Sequence, residues 1–282
     1  MYNAYENYLT ILQHRGHYRR LNKTRQERSV FLDFSHNDYL NLSQNKQVIE
    51  GGYKASQTYG MGSTGSRLLS GHTPLFDAFE TTLARDKNQE SSLIFSSGFQ
   101  ANSSTLSCLL DSKVLGAPPL VFFDKENHAS LYQGVFLSQA KLCRYRHCNM
   151  EHLENLLTHY KHDPRQKFIV TETVFGMNGN KAPLDAIVQL AERFQAFIYL
   201  DEAHATGVLG PQGYGLSTTY DIPHVVMGTF SKAMGVSGAY IACHSILRDY
   251  IINKATGFIY STAPSPAVVG SAFEAWLQCK KL

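Results

Sequence analysis

Apolar and polar positions along this 282-residue chain switch repeatedly between two periods. Short apolar runs of strand length are each followed by a polar turn, then by a stretch with helical spacing. The run "SSLIF" leads through Ser96-Ser97-Gly98 into a helix beginning near Phe99, and "PLVFFD" repeats the plan through a polar turn carrying His128. "KLCRYRH" predicts a strand and is followed by a helix from about Met150 to Tyr160. "KFIVTE" predicts a strand and loop, and "LDAIVQLAERF" places Leu184, Ile187, Val188, Leu190 and Ala191 on one helix face. "AFIYLD" predicts another strand, "HVVM" a buried strand that breaks at Gly228, "SGAYIACH" a strand and "ILRDYIINKA" a helix. Nearer the start, Tyr5, Tyr8, Leu9, Leu12 and Tyr18 recur at helical spacing and predict a helix over residues 1–27. "VFLDFSHNDYLNLS" predicts an extended segment closing in a polar turn. Four glycines within residues 60–71 predict a loop, after which Thr73-Pro74 starts a helix. Strand–helix alternation over this length predicts an α/β fold, an open and mostly parallel sheet flanked by helices.

Composition narrows the class. A charged fraction of 17% against 43% apolar residues describes a folded chain, and a net charge of +3 with scattered lysines and arginines argues against a nucleic-acid partner. Five cysteines, an odd number widely spread, do not form a disulfide framework. Cys143, His147 and Cys148 lie close in sequence, but no second ligand pair of zinc-finger spacing follows, so no metal is expected. The first residues lack the charged and apolar regions of a secretory signal, and no apolar run reaches membrane-spanning length. These features predict a cytoplasmic protein without a membrane partner.

The candidate chemistry gathers at the predicted strand ends. Lys232 lies just past a buried strand among hydroxyls and glycines. Taken by itself it reads most simply as a surface lysine. Ligands of open α/β sheets bind outside the carboxyl ends of the strands, however, and those ends carry Gly98, His128, Glu172, Asp201 with His204, and Thr229 with Lys232. The set contains an amine, two imidazoles, two carboxylates and a helix start ready for an anion. Pyridoxal phosphate chemistry uses such a set. A lysine carries the cofactor, a carboxylate keeps the ring nitrogen protonated, and a helix N-terminus binds the phosphate.

The segments "SHNDYL", "GSTGSRLLSGH", "FSSGFQAN", "NHASL", "TETVFGMNG", "LDEAHATGVLGPQGYG", "TFSKAMGVSGAY" and "IYSTAPSP" together make the chain resemble the α-oxoamine synthases. These are pyridoxal-phosphate enzymes of the type I aminotransferase fold. The resemblance runs from about Arg19 to the last residues. It implies that Lys232 carries the cofactor, Asp201 partners the ring nitrogen, and His204 lies beside the cofactor O3′. His128 would stack on the ring and assist with substrate. Gly98 and Phe99 would supply backbone phosphate contacts and Thr229 a phosphate-binding hydroxyl. Thr262 would reach the phosphate of a neighbouring subunit, which implies a homodimer with the site at its interface. Asn37 and Glu172 match polar residues near cofactor and substrate, and Arg19 matches an arginine of the acyl-thioester site.

The implied reaction is a decarboxylative condensation of an amino acid with an acyl thioester on coenzyme A or a carrier protein. L-Alanine and a pimeloyl donor are favoured among the pairs that family members use. The family loop commonly reads F-S-M-D-G, and here Gly176 lacks the hydroxyl that would help hold the cofactor. The resemblance also divides the chain into an N-terminal helix and arm (1–45), a cofactor-binding large domain (46–270) and the start of a linking helix (271–282). The family's C-terminal small domain is expected to be absent. Two other readings remain open. "LDEAH" resembles the metal-binding motif of helicase-like ATPases, though no Walker lysine loop accompanies it. A shortened, folded but inactive chain is the other.

Overall fold

The computed structural model describes residues 1–21 and 34–280. Two units are distinguished, Met1–Ser35 and His36–Leu282. The first contains helix α1 (Tyr2–His14). The predicted helix over 1–27 therefore ends early, and residues 22–27 of it lie outside the described residues. Gly16 adopts a left-handed φ of 67° and the His17 N–H donates to the Leu12 carbonyl at 2.9 Å, a glycine-terminated stop.

The second unit runs α2 (Lys46–Tyr59), α3 (Pro74–Asp86), β1 (Ser91–Phe95), α4 (Gly98–Leu109), α5 (Ser112–Leu115), β2 (Leu120–Asp124), α6 (Ala129–Ser138), β3 (Lys141–Tyr145) and α7 (Met150–His159). It continues with β4 (Lys167–Glu172), α8 (Leu184–Phe194), β5 (Ala196–Asp201), β6 (His224–Thr229), β7 (Ala239–Cys243), α9 (Ser245–Lys254), α10 (Thr256–Ile259) and α11 (Pro266–Cys279). The strands form one seven-stranded sheet in the order β1-β7-β6-β5-β4-β2-β3. Only β7 runs against its neighbours. Residues 230–238 between β6 and β7 hold no crossover helix, so the chain returns antiparallel.

Alternation along each strand feeds two cores, one per sheet face. Leu120, Phe122, Ile169, Ile198, Leu200 and Val226 enter one cluster, and Val121, Phe123, Val170, Tyr199, Val225 and Met227 enter the other. The predicted break at Gly228 does not occur, because β6 continues through Thr229. Glycine is needed inside that strand. A Cβ there would lie 2.4 Å from the Tyr240 ring on β7.

Sequence patterning does not reveal α2, for a steric reason. Its buried face is built from Val48, Gly52 and Ala55 and packs on α11. A Cβ on Gly51 would lie 2.9 Å from the Gly270 carbonyl oxygen, and one on Gly270 would lie 2.5 Å from the Ala55 Cβ. The two helices touch nearly backbone to backbone, so their contact is written in small residues rather than in an apolar stripe. Farther along α11, Trp276 is fully buried, stacks on Tyr214 and donates to Asp86 Oδ2 at 2.8 Å.

A wholly buried ion pair joins α3 to the turn after β5. Lys87 and Glu202 are both 0% exposed, and the Lys87 ammonium also donates to the Tyr214 carbonyl at 2.5 Å and to Ser217 Oγ at 3.1 Å. The Ser217 N–H donates to the other Glu202 oxygen at 2.8 Å. Every polar atom of the pair is thereby occupied, the condition for burying charge. Among the described residues, no helix is long and apolar enough to cross a membrane. Removing one partner of such a pair leaves an uncompensated buried charge, so Lys87→Ala is expected to destabilise the chain by ~3–5 kcal/mol in urea unfolding. Lys125→Ala, in an exposed pair with Glu126, should cost less than ~1 kcal/mol. Equal effects for the two variants would contradict this placement of charge.

Candidate active site

Parallel strands deliver their last residues to one edge. Glu172 of β4 stands in register with Asp201 of β5, β6 ends in Thr229, and α4 starts at Gly98 beside them. A cleft of about 220 Å³ opens there, lined among others by Gly98, Phe99, Asn102, His128, Glu172, Asp201, His204, Thr229 and Lys232. The alternation of strand and helix thus brings together most of the residues singled out above.

Asp201 forms the floor of the cleft and is only 3% exposed. Asn102 Nδ2 donates to its Oδ2 at 2.7 Å, and the Ala203 N–H donates to its Oδ1 at 2.8 Å. Asn102 is itself oriented by Tyr199, whose hydroxyl donates to Asn102 Oδ1 at 2.9 Å. Burial nevertheless holds the Asp201 carboxyl above the usual range, against the lowering effect of these hydrogen bonds. Glu172 is pushed up to about 8, first by burial and then by the charge of Asp201. Its Oε1 accepts the His128 backbone N–H at 2.7 Å. The His128 ring caps α6 and accepts the Ser130 N–H at Nδ1 (3.2 Å), while Phe99 meets it edge-on.

Lys232 follows β6 and its amine turns into the cleft. Burial lowers its pKa, with Asp201 and Glu172 acting in the opposite direction. Its Nζ lies 2.6 Å from His204 Nε2, and His204 Nδ1 lies 2.8 Å from the Tyr39 hydroxyl. Tyr39 donates onward to Asn37 Oδ1 at 3.0 Å. That direction assigns the neutral His204 proton to Nδ1 and leaves Nε2 to accept from the lysine. Burial, aided by the Lys232 charge, pushes the His204 imidazole down to about 4. Gly176 has a spatial role in this relay. A Cβ there would sit 2.3 Å from His204 Nε2, so the missing side chain is what lets the imidazole lie against the loop.

The start of α4 presents unpaired N–H groups toward the cleft, with Ser97 as N-cap accepting the Gln100 N–H at 3.2 Å. A Cβ on Gly98 would find its nearest neighbours in Thr229 and Met227, at 3.7 Å or more. The Thr229 hydroxyl bonds Ser231 Oγ at 2.8 Å and the Gly238 carbonyl at 2.9 Å, so it is held at the mouth of that cradle. A pyridoxal phosphate fits this donor set. There is an amine of lowered pKa, a buried carboxylate whose hydrogen-bond partners are an amide and a backbone N–H, and a helix N-terminus for the phosphate.

One singled-out residue of this unit lies elsewhere. Thr262 is exposed and borders a separate small recess with Ser96, Gln100 and Ser261. Arg19 is exposed in the N-terminal unit. Three residues of the site escaped sequence reasoning. Asn102, Tyr39 and Ser130 sit inside the quoted segments "FSSGFQAN", "SHNDYL" and "NHASL", but nothing in their spacing announces a contact with Asp201, His204 or His128. Glu202 of "LDEAH" is consumed by its buried pair with Lys87, which removes the carboxylate that an ATPase reading requires.

Comparison with known proteins agrees with this geometry. Residues 29–279 match the family described as aminotransferase class I and II. An 8-amino-7-oxononanoate synthase from Gluconacetobacter diazotrophicus is 43% identical over 248 residues, covering 87% of this chain and 62% of the relative. A crystal structure of 8-amino-7-oxononanoate synthase from Francisella tularensis superposes with a TM-score of 0.75 at 30% identity, covering 90% of this chain and 70% of that one. A serine palmitoyltransferase from S. paucimobilis, solved with bound PLP–myriocin, gives a TM-score of 0.81 at 28% identity, covering 87% and 63%. The chain spans about three fifths of the length of the curated relatives it matches.

The His204 pKa yields a test. Because the folded value lies below the ordinary 6.5, the neutral ring stabilises the fold fully above pH 6.5, and that contribution is lost as pH falls toward 4. An NMR titration of the cofactor-free protein, with His204→Asn to assign the signal, is expected to place the His204 midpoint near 4. A midpoint at or above 6.5 would contradict the relay described here.

Proposed function

The chain belongs to the class I and II aminotransferase family, and on that premise we propose that it is a pyridoxal-phosphate-dependent α-oxoamine synthase of the 8-amino-7-oxononanoate synthase kind. It condenses an amino acid, L-alanine in the first place, with an acyl thioester, a pimeloyl donor in the first place, and releases carbon dioxide and an aminoketone. The observation that carries this reading is the pairing, across one small cleft, of a lysine of lowered pKa with a buried carboxylate whose hydrogen-bond partners are an amide and a backbone N–H. The choice of substrates is supported by the 43% identity, over 87% of this chain, to a synthase of that name.

Bound pyridoxal phosphate supplies a ring that accepts the electron pair left when a proton or carboxylate departs from the substrate carbon. This chain's residues do the rest. The α4 N–H groups of Gly98 and Phe99 would bind the phosphate, joined by the Thr229 hydroxyl once its proton turns from the Gly238 carbonyl. Asp201 holds a proton at the ring nitrogen, and Asn102 and Ala203 orient that carboxylate. His128, in the cleft wall, would cover one face of the ring. Lys232 Nζ would hold the cofactor at rest and, once the incoming amino group has displaced it, would be the free amine that takes a proton from the amino acid and returns it to the product carbon. His204, neutral and fixed by Tyr39 and Gly176, offers Nε2 as an acceptor to the lysine, and would accept there from a protonated cofactor hydroxyl. Glu172, raised to about 8, holds its proton at neutral pH and can donate it within the cleft. Asn37 orients Tyr39 at the substrate side. Exposed Thr262 serves the phosphate site of a second copy in a homodimer, and Arg19 serves the acyl thioester.

The reading is tested by assaying carbon dioxide release from L-alanine with pimeloyl thioester, against glycine and serine with other acyl donors. Lys232→Ala should lower kcat by at least ~10³-fold and Asp201→Asn by ~10²-fold, with little change in the urea midpoint of either. Lys232→Ala turnover within tenfold of the parent would overturn the assignment.

A further inference from the structure

We propose that Asp124, His147 and Cys148 form a second site, a metal centre that takes one Zn²⁺ on a carboxylate, an imidazole and a thiolate with solvent in the fourth position. The three residues come from the end of β2 and the turn after β3, strands that pair in parallel so that Asp124 stands opposite Tyr145. Asp124 Oδ1 lies 3.0 Å from His147 Nδ1, and Asp124 Oδ2 accepts the Cys148 backbone N–H at 2.8 Å. Cys148 Sγ lies 3.8 Å from His147 Nδ1 and 3.6 Å from its Nε2. One donor atom from each residue falls within 4.8 Å of the others. A tetrahedral zinc ion, with bonds of about 2.0–2.3 Å, separates its ligand atoms by ~3.3–3.7 Å. The donors are therefore nearly in place before any ion binds.

Three further features make this more than a chance cluster. Asp124 is 1% exposed and His147 16%, so the donors are held in the protein wall yet open to solvent on one side. His147 is braced edge-on against Phe175, with ring centroids 4.4 Å apart. Cys148 has a left-handed φ of 50°, the backbone turn that brings its thiol beside the imidazole, and it is the one cysteine of five that is not buried. Thiolate with imidazole selects zinc over magnesium or calcium.

The Cys148 S–H bond breaks, its proton goes to solvent and a sulfur–zinc bond forms. His147 stays neutral, its proton passing from Nδ1 to Nε2, and the Asp124 carboxylate binds through the oxygen that now faces His147. One proton is released per ion. Phe175 directly precedes Gly176, so an occupied site would stiffen the loop on which the His204 ring rests. The proposal does not depend on the reaction assigned above.

The test uses the full protein stripped with a chelator and titrated with Co²⁺. One Co²⁺ per chain is expected, with a thiolate-to-metal band in the near ultraviolet and the visible bands of a four-coordinate ion, all displaced by Zn²⁺. Cys148→Asn suits the left-handed backbone and should keep the urea midpoint while losing the near-ultraviolet band. His147→Gln should weaken Co²⁺ binding at least ~10-fold. Absence of a thiolate band in the parent protein, or an unchanged band and affinity in Cys148→Asn, would overturn the proposal.

Discussion

A carboxylate buried at the end of one strand and a half-buried amine just past the end of the next set the terms for the rest of this molecule. Neither charge is comfortable away from water. Burial raises the Asp201 pKa and lowers that of Lys232, so each group is pushed toward its neutral form. The structure around them limits that cost without cancelling it. Asn102 and the Ala203 N–H hold Asp201, and His204 holds Lys232. What remains is a cleft that holds a carboxylate and an amine, each favouring the charged form of the other.

The scaffold can be read as the means of keeping that arrangement rigid. A parallel sheet with apolar clusters on both faces brings the strand ends into register, as in the Glu172–Asp201 pair. The next residue, Glu202, is locked by Lys87 from beneath. The short antiparallel return from β6 to β7 keeps Lys232 on a tight loop instead of a crossover helix. Gly176 removes a side chain so that His204 can lie against the neighbouring loop. Positions that look permissive in the sequence are therefore constrained by close approach.

Much of this was legible in the residues alone. Strands with uniform apolar runs and turns with polar residues carried the sheet, and the polar residues at strand ends carried most of the cleft. What stayed hidden has a common cause. The glycine-lined contact between α2 and α11 leaves no apolar stripe to read. Asn102 and Tyr39 act through side chains brought close only by the fold, and Asp124 joins His147 and Cys148 only because β2 pairs with β3. Periodicity reports which face a residue occupies. It does not report which distant residue shares that face. The early end of α1 at Gly16 and the unbroken strand through Gly228 show the same limit, since a glycine stops one element and completes another.

The central claim is that this chain assembles the cofactor half of the site around Lys232. The most direct measurement is the visible spectrum of the purified protein with added pyridoxal phosphate, before and after borohydride, followed by the mass of the peptide containing residue 232. The account predicts a visible band that borohydride abolishes, with the reduced cofactor fixed on Lys232. No band, or fixation on a different lysine, would contradict it.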